Sequence, residues 1–157
     1  MRWWLCPGCG DIQYAHVGSS CRSCGVRLDQ AVAFDDALSL ALDHPDPGVA
    51  AHAARLLAAR MPPNATTALR QRARRPGAPA VLAAVAEALG ALRDDGSVRE
   101  LAEMSRTGWL EARCAAVEAL AAIGSAAAQV ALRDAASDPS EVVRRLARDR
   151  LRPLEAP

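Results

Sequence analysis

The sequence predicts a mainly α protein, in which a short solenoid of paired helices follows a small N-terminal β unit. Three observations lead to this fold class. Hydrophobic residues make up 51% of the chain and aromatic residues 3%, and the excess of alanine and leucine favours closely packed helices over a sheet-rich core. A leucine-containing pattern recurs at steps of 32 and 31 residues. Four of the five cysteines form two Cys-x-x-Cys pairs near the N-terminus.

Composition and charge limit the functional classes to which the protein can belong. The formal net charge is +1 and all 19 basic residues are arginine, so the overall charge predicts neither a strongly basic nor a strongly acidic protein. No apolar run approaches the roughly 20 residues of a membrane span. Cysteines and glycines occupy the positions where a signal peptide would have its apolar segment. We therefore expect a cytoplasmic protein without a membrane partner.

Residues 1–28 predict a small metal-binding unit. Two Cys-x-x-Cys-Gly motifs form tight turns that can bring four thiolates to one tetrahedral site. The predicted ligands are Cys6, Cys9, Cys21 and Cys24. Ile12 and Tyr14 alternate as in a strand, residues 17–20 read as a turn, and residues 2–5 and 26–28 can supply flanking strands.

The paired motifs resemble a zinc ribbon over roughly residues 3–28. The resemblance implies a structural Zn²⁺ ion, because four cysteine ligands leave no coordination position for water or substrate. A rubredoxin-type iron site uses similar turns and stays open as an alternative, although such domains separate the pairs more widely. Trp3 and Trp4 are adjacent and would face opposite sides of a strand. Both are candidate partner-binding residues, and one of them could instead cover the metal or join the ribbon to the helices.

Residues 31–152 predict a helical repeat array. Two series of leucines share the period: Leu57, Leu89 and Leu120, and Leu69, Leu101 and Leu132. The first, or A, helices are predicted at 47–60, 77–92, 108–122 and 139–151. The second, or B, helices are predicted at 31–43, 64–74, 95–106 and 126–136. Asp46, Asn64 and Asp138 are predicted to cap helices. The array would have three full units with a half unit at each end, followed by a flexible tail at 153–157.

The array resembles HEAT repeats, in particular the short bacterial type known from relatives of phycobilisome lyases. Aspartate–proline turns at 46–47 and 138–139, Glu-Ala-Leu segments at 87–89 and 118–120, and Arg113 and Arg144 carry the resemblance. The resemblance implies an ion pair between a turn aspartate and an A-helix arginine, here Asp138 with Arg113 or Arg144. Leu82 stands at the equivalent position of the preceding unit, which interrupts this ladder.

Each end of such an array needs a cap, because a terminal helix pair has an apolar stripe that no neighbouring repeat buries. The ribbon is predicted to cap the first helix, which lacks an A partner. The arginine-rich last helix is predicted to be a solubilising cap, and self-association through it is the alternative. Cys114 is predicted to be a small core residue of low reactivity.

The predicted function is that of a non-enzymatic adaptor or scaffold that binds another protein. B helices line the concave face in repeats of this kind, and the register aligns four arginines there as candidate contacts: Arg70, Arg74, Arg106 and Arg133. This stripe and the ribbon also support the alternative of nucleic-acid binding. Residues 81–111, however, carry six acidic residues against three arginines, and the array holds few aromatic residues for base stacking.

Catalysis is not expected from the sequence. Enzymes with HEAT-like folds include metal-dependent hydroxylases with His-Glu ligand pairs, DNA glycosylases and bilin lyases. This chain has no His-Glu dipeptide, and His44 and His52 are the only histidines of the array. No nucleophile–base pair, glycine-rich phosphate loop or carboxylate cluster is recognisable.

Overall fold

A computed structural model describes residues 2–6, 9, 11–15, 19–27 and 34–155 of the chain. Within this part, two strands, β1 (Arg2–Leu5) and β2 (Ile12–Ala15), precede eight helices. The helices are α1 (Phe34–Ala41), α2 (Pro47–Arg60), α3 (Ala65–Ala73), α4 (Pro79–Leu92), α5 (Val98–Thr107), α6 (Leu110–Ile123), α7 (Ala126–Ala135) and α8 (Glu141–Glu155). None of the described helices is both long and apolar enough to cross a membrane.

The helices stack as two layers, which confirms the predicted α-solenoid. The A helices α2, α4, α6 and α8 each contact the next A helix, and the B helices α1, α3, α5 and α7 do the same in a second layer. The two leucine series lie at the centre between the layers, where every member is fully buried. Only a stacked neighbour can cover these leucines, so the 32/31-residue period of the sequence is the period of the core.

The A helices approach closely because small residues line their contact. A Cβ added to Gly90 of α4 would lie 2.7 Å from the Cα of Ala119 on α6, closer than real contacts allow. Asp46 caps α2 by accepting a 2.7 Å hydrogen bond from the backbone amide of Gly48, and Pro47 begins the helix. Gly124 ends α6 with a φ of +71°.

Some predicted boundaries and caps are wrong. Residues 95–97 form a 3-10 turn, and the α-helix begins only at Val98. Asn64 makes no capping hydrogen bond, and its Nδ2 donates to Asp36 and Ser39 of the neighbouring B helix. The last helix continues to Glu155, so residues 153–155 of the predicted tail are helical.

The N-terminal unit lies against the first helix. Strands β1 and β2 pair antiparallel, with Trp3 opposite Tyr14 and Trp4 opposite Gln13. Arg27 forms an isolated bridge with Ser20, and β1 contacts α1. The hairpin therefore lies at the N-terminal end of the array, beside the first B helix. Residue 28 of the third predicted strand and residues 17–18 of the predicted turn lie outside the described residues, as do the side chains of Trp3 and Trp4.

Candidate metal centre and repeat surface

The four predicted cysteine ligands converge on one point. Their sulfur atoms all lie within 4.8 Å of one another. The Sγ atoms of Cys6 and Cys24 are 3.4 Å apart, and those of Cys9 and Cys21 are 3.7 Å apart. A tetrahedron with metal–sulfur bonds of about 2.3 Å has sulfur–sulfur edges of about 3.8 Å. The quartet therefore has the donor set and the spacing of a tetrahedral metal site.

Backbone hydrogen bonds shape the two cysteine turns in the same way. The amide of Cys6 donates to the carbonyl of Asp11 at 2.8 Å, and the amide of Cys21 donates to the carbonyl of Val26 at 2.7 Å. The second turn closes through Gly25, whose amide donates to the carbonyl of Cys21 at 2.9 Å and whose φ of +77° is a conformation that glycine adopts readily. A 2.6 Å hydrogen bond from Ser23 Oγ to Asp11 joins one turn to the other. The sulfur positions are thus set by the fold of both turns together.

The electrostatics of the quartet favour a bound cation. Burial acts to raise the pKa of Cys21, but the backbone amides of Cys24 and Ser23, with two side-chain hydrogen bonds, lower that pKa to about 6. The backbone amide of Asp11 acts to lower the pKa of Cys9, but burial and the three neighbouring sulfurs raise it to about 12. Four sulfurs this close cannot all ionise without a cation among them, because each thiolate opposes the next.

Most arginines of the predicted stripe on the B helices form ion pairs with acidic residues. Glu100 of α5 accepts a 3.3 Å hydrogen bond from Arg70 and a 2.9 Å hydrogen bond from Arg74 Nε. Arg106 pairs with Glu103 at 2.8 Å, and Arg133 is exposed on α7. The free positive charge of this face is thus smaller than the register alone indicates, which weakens the nucleic-acid alternative. Partner binding by the stripe and by Trp3 and Trp4 stays a prediction.

Sequence reasoning missed Glu100 as a structural centre of that stripe. Its side chain is only 3% exposed although it carries a charge. Burial acts to raise the pKa of Glu100, but the hydrogen bond from Arg74 and the charge of Arg70 outweigh burial and hold the pKa below its usual value. The register of Glu100 on α5, one helical turn before Met104, could have indicated an inward-facing carboxylate.

Arg72 is a second buried charge that the sequence analysis did not single out. Its Nε donates to the carbonyl of Leu42 at 3.0 Å, and its Nη1 donates to the carbonyl of Arg75 at 3.1 Å. Burial lowers the pKa of Arg72, and the nearby Asp43 partly opposes that effect. A Cβ on Gly77 would lie 2.2 Å from Arg72 Nη2, so the glycine of the α3–α4 loop makes room for the guanidinium.

The aspartate–arginine contact between units forms as the repeat resemblance implies. Arg113 Nη1 of α6 lies 2.9 and 3.0 Å from the two carboxylate oxygens of Asp138, and the carboxylate also accepts the amide of Ser140 at 2.7 Å. Arg144 instead donates to the backbone carbonyls of Asp138 and Pro139. One turn is therefore bound by an arginine from each of two successive A helices.

Comparison with known families decides what the array is. HEAT repeats match residues 34–112, which is half of the chain. This chain belongs to the HEAT-repeat family. The helices after residue 112 continue the same two layers, so the HEAT architecture extends beyond the matched range. Among curated proteins, none matches this sequence.

A solved HEAT-like structure, human deoxyhypusine hydroxylase in complex with glycerol, is similar to this HEAT protein. The sequences are 29% identical and the TM-score is 0.68. The match covers 77% of this chain and 43% of the hydroxylase, so the chain spans less than half of that enzyme's length. The expectation that this HEAT protein is not an enzyme is wrong, because its likeness to a hydroxylase points towards an enzymatic role. No local ligand motif in the sequence indicates such a role, because the likeness extends over 77% of the chain rather than over one short segment.

Cys114 lies apart from the metal centre, half-buried on α6 against the core of the HEAT array. Burial raises the pKa of its thiol, and the adjacent Arg113 opposes that effect only in part. A thiol with a raised pKa is mostly protonated at neutral pH and is a poor nucleophile.

Proposed function

We propose that this HEAT protein is a helical scaffold that binds another protein, and that its four N-terminal cysteines hold a structural Zn²⁺ ion in a small ribbon. One observation supports the scaffold role above all: the B-helix layer leaves open clefts between successive helices. The cleft between α1 and α3 has a volume of about 400 Å³ and is lined by Leu40, Ala68 and Gln71 among others. Leu40 is 63% exposed, which is unusual for a large apolar side chain beside a cleft.

The cysteine quartet supports the zinc assignment. All four donors are thiolate sulfurs at tetrahedral spacing, and zinc bound by four cysteines is coordinatively closed. Zn²⁺ would supply charge neutralisation and a cross-link between the two turns. A unit of this size buries too little apolar surface to be stable alone, so the metal would contribute folding free energy to the ribbon.

Elemental analysis of the purified protein tests the metal. We expect one zinc per chain, loss of zinc in Cys9→Ser, and retention of zinc in the control Cys114→Ser. Iron in place of zinc, with the visible absorbance of an iron–thiolate site, would support the rubredoxin-type alternative. A wild-type protein without metal would contradict the ribbon.

Co-purification from the native cell, combined with surface variants, tests the scaffold. We expect a stoichiometric protein partner that is lost in Leu40→Glu and retained in Val142→Glu, since Val142 is similarly exposed but belongs to an A helix. Cross-links from the partner should map to the B-helix layer. Recovery of the wild type with RNA or DNA, in a complex that dissociates steeply with salt, would favour the nucleic-acid alternative.

Catalysis is a second candidate function, and the 29% identity to human deoxyhypusine hydroxylase favours it. A hydroxylase adds one oxygen atom to its substrate. The second oxygen atom of O₂ must be reduced to water, so the assay contains this protein, a deoxyhypusine-containing protein, O₂, ferrous iron and a two-electron reductant such as ascorbate. Hydroxylation should then appear as that mass increase by mass spectrometry. An unchanged mass, beside a positive control with the human enzyme, would argue against this activity.

A further inference from the structure

A groove with a volume of about 710 Å³ lies between the ends of α3 and α5, bounded by the α3–α4 and α5–α6 loops. This volume is within the usual range of ligand sites, about 300–1,000 Å³. Leu82 of α4 and Met104 of α5 line the groove and are themselves nearly buried. Arg74, Arg99 and Trp109 line it as well. The groove therefore combines apolar surface with cationic and aromatic groups.

The charge of the groove is positive once its ion pairs are counted. Glu103 is paired with Arg106, and Glu100 is shared by two arginines, so neither acid neutralises Arg99. Arg99 is exposed, and no acidic residue in the described part of the chain forms a salt bridge with it. An anionic group on a ligand would find its partner there.

The repeat fold does not explain why Trp109 is exposed. It occupies the N-cap position of α6, the position from which Asp46 caps the A helix α2, yet its side chain makes no capping hydrogen bond. Trp109 is 66% exposed at the mouth of the groove. Exposed tryptophan and arginine together are typical of binding hot spots, because both gain strongly from contact with a partner.

We propose that this groove binds an extended acidic peptide segment of a partner protein, with a carboxylate at Arg99 and one large apolar side chain against Trp109. The proposal rests on the scaffold function and names the chemistry of the partner. A peptide fits better than a nucleic acid, because Arg99 is the only cation among the described lining residues that has no salt bridge, and Leu82, Met104 and Trp109 supply apolar surface beside it. A nucleic-acid strand would need a row of free cations to follow its phosphates.

Selection from a phage-displayed library of random linear peptides against the full-length protein tests the proposal. Enriched peptides should combine acidic residues with one aromatic or large aliphatic residue. Synthetic copies, titrated by fluorescence polarisation, should bind at least about tenfold more weakly to Arg99→Glu and to Trp109→Ala. Two matched controls should bind as the wild type does: Arg145→Glu, an exposed arginine on α8, and Leu110→Ala, an exposed residue that does not line the groove. Far-UV circular dichroism of each variant confirms folding.

Three outcomes would overturn the proposal. Enrichment of no peptide, or of peptides without acidic residues, would remove the acidic ligand. The peptides could bind normally to Arg99→Glu and Trp109→Ala but fail to bind Leu40→Glu. That result would support the scaffold function but place the peptide site elsewhere on the B-helix layer. Tighter binding of single-stranded oligouridylate than of any peptide, lost in Arg99→Glu, would assign the groove to nucleic acid.

Discussion

Replacing Asp138 with alanine removes two contacts at once from the junction between the last two HEAT units. The carboxylate, whose side chain is 4% exposed, binds the guanidinium of Arg113 and accepts the amide of Ser140 at the start of α8. The variant therefore leaves an arginine that is only 16% exposed without its counter-charge. Removing one partner of a buried ion pair destabilises strongly because the remaining charge stays desolvated.

The chain holds a matched control for the capping half of this effect. Asp46 caps α2 through the amide of Gly48 in the same Asp-Pro turn, but it is exposed and no arginine salt bridge to it is recorded in the described residues. Loss of a helix cap costs about 1 kcal/mol. Loss of one partner of a buried pair costs about 3–5 kcal/mol. Because both variants lose a cap, the difference between Asp138→Ala and Asp46→Ala should be the cost of the lost ion pair, about 3–5 kcal/mol.

Chemical and thermal unfolding of the two variants measure this difference. A protein of this size loses roughly 2–4 °C of Tm per kcal/mol. Asp138→Ala loses both contacts and should melt at least about 8 °C below the wild type, whereas Asp46→Ala should melt about 2–4 °C below. In the double variant Arg113→Leu/Asp138→Ala, part of the loss should return, because leucine occupies the equivalent position of α4 and carries no charge to desolvate. Equal destabilisation by Asp138→Ala and Asp46→Ala would refute the reasoning, since the arginine contact would then contribute nothing.

Further predictions concern the buried acid, the helix contact and the metal. The pKa of Glu100 is lower in the folded than in the unfolded state, so ionised Glu100 stabilises the fold above the unfolded pKa of about 4.3, and this stabilisation is lost as pH falls through the folded pKa. Glu100→Gln should therefore make the free energy of unfolding depend less on pH on the acid side. An unchanged pH dependence would contradict this. Gly90→Ala should lower stability by about 1–3 kcal/mol in urea titrations, because the new methyl group meets Ala119, whereas the exposed control Ala91→Val should cost less than half as much. Removal of the proposed zinc with a chelator should leave the helical circular dichroism nearly unchanged, because the core cluster of the described residues lies within residues 37–151. Loss of most of the helical signal would show that the N-terminal unit is needed for the array. In the same experiment the four ligand cysteines should become reactive to iodoacetamide, while Cys114 in the folded array should stay slow because burial raises its pKa.

The period of the array and the clustering of the four cysteines follow from the sequence alone. A leucine that recurs at a fixed step must be buried by the same neighbour in each unit, so the pattern of Leu57, Leu89 and Leu120 determines the stacking without any knowledge of coordinates. Cysteine spacing is equally local, because a Cys-x-x-Cys turn has few ways to present its two sulfurs. These features depend on short-range geometry and on burial, and each produces a regular spacing of residues in the sequence.

Only the tertiary structure determines which charged residues are buried and which are paired. Register placed Arg70 and Arg74 on one face, but it could not show that Glu100, about 30 residues away, is buried between them. Nor could it show that Arg72 is buried beneath the loop that Gly77 opens. A long arginine side chain reaches partners on other helices, and whether its charge is free or paired depends on how far apart those helices lie. The wide spacing of α3 and α5 likewise creates the groove beside Trp109, and no local pattern in the sequence records that spacing.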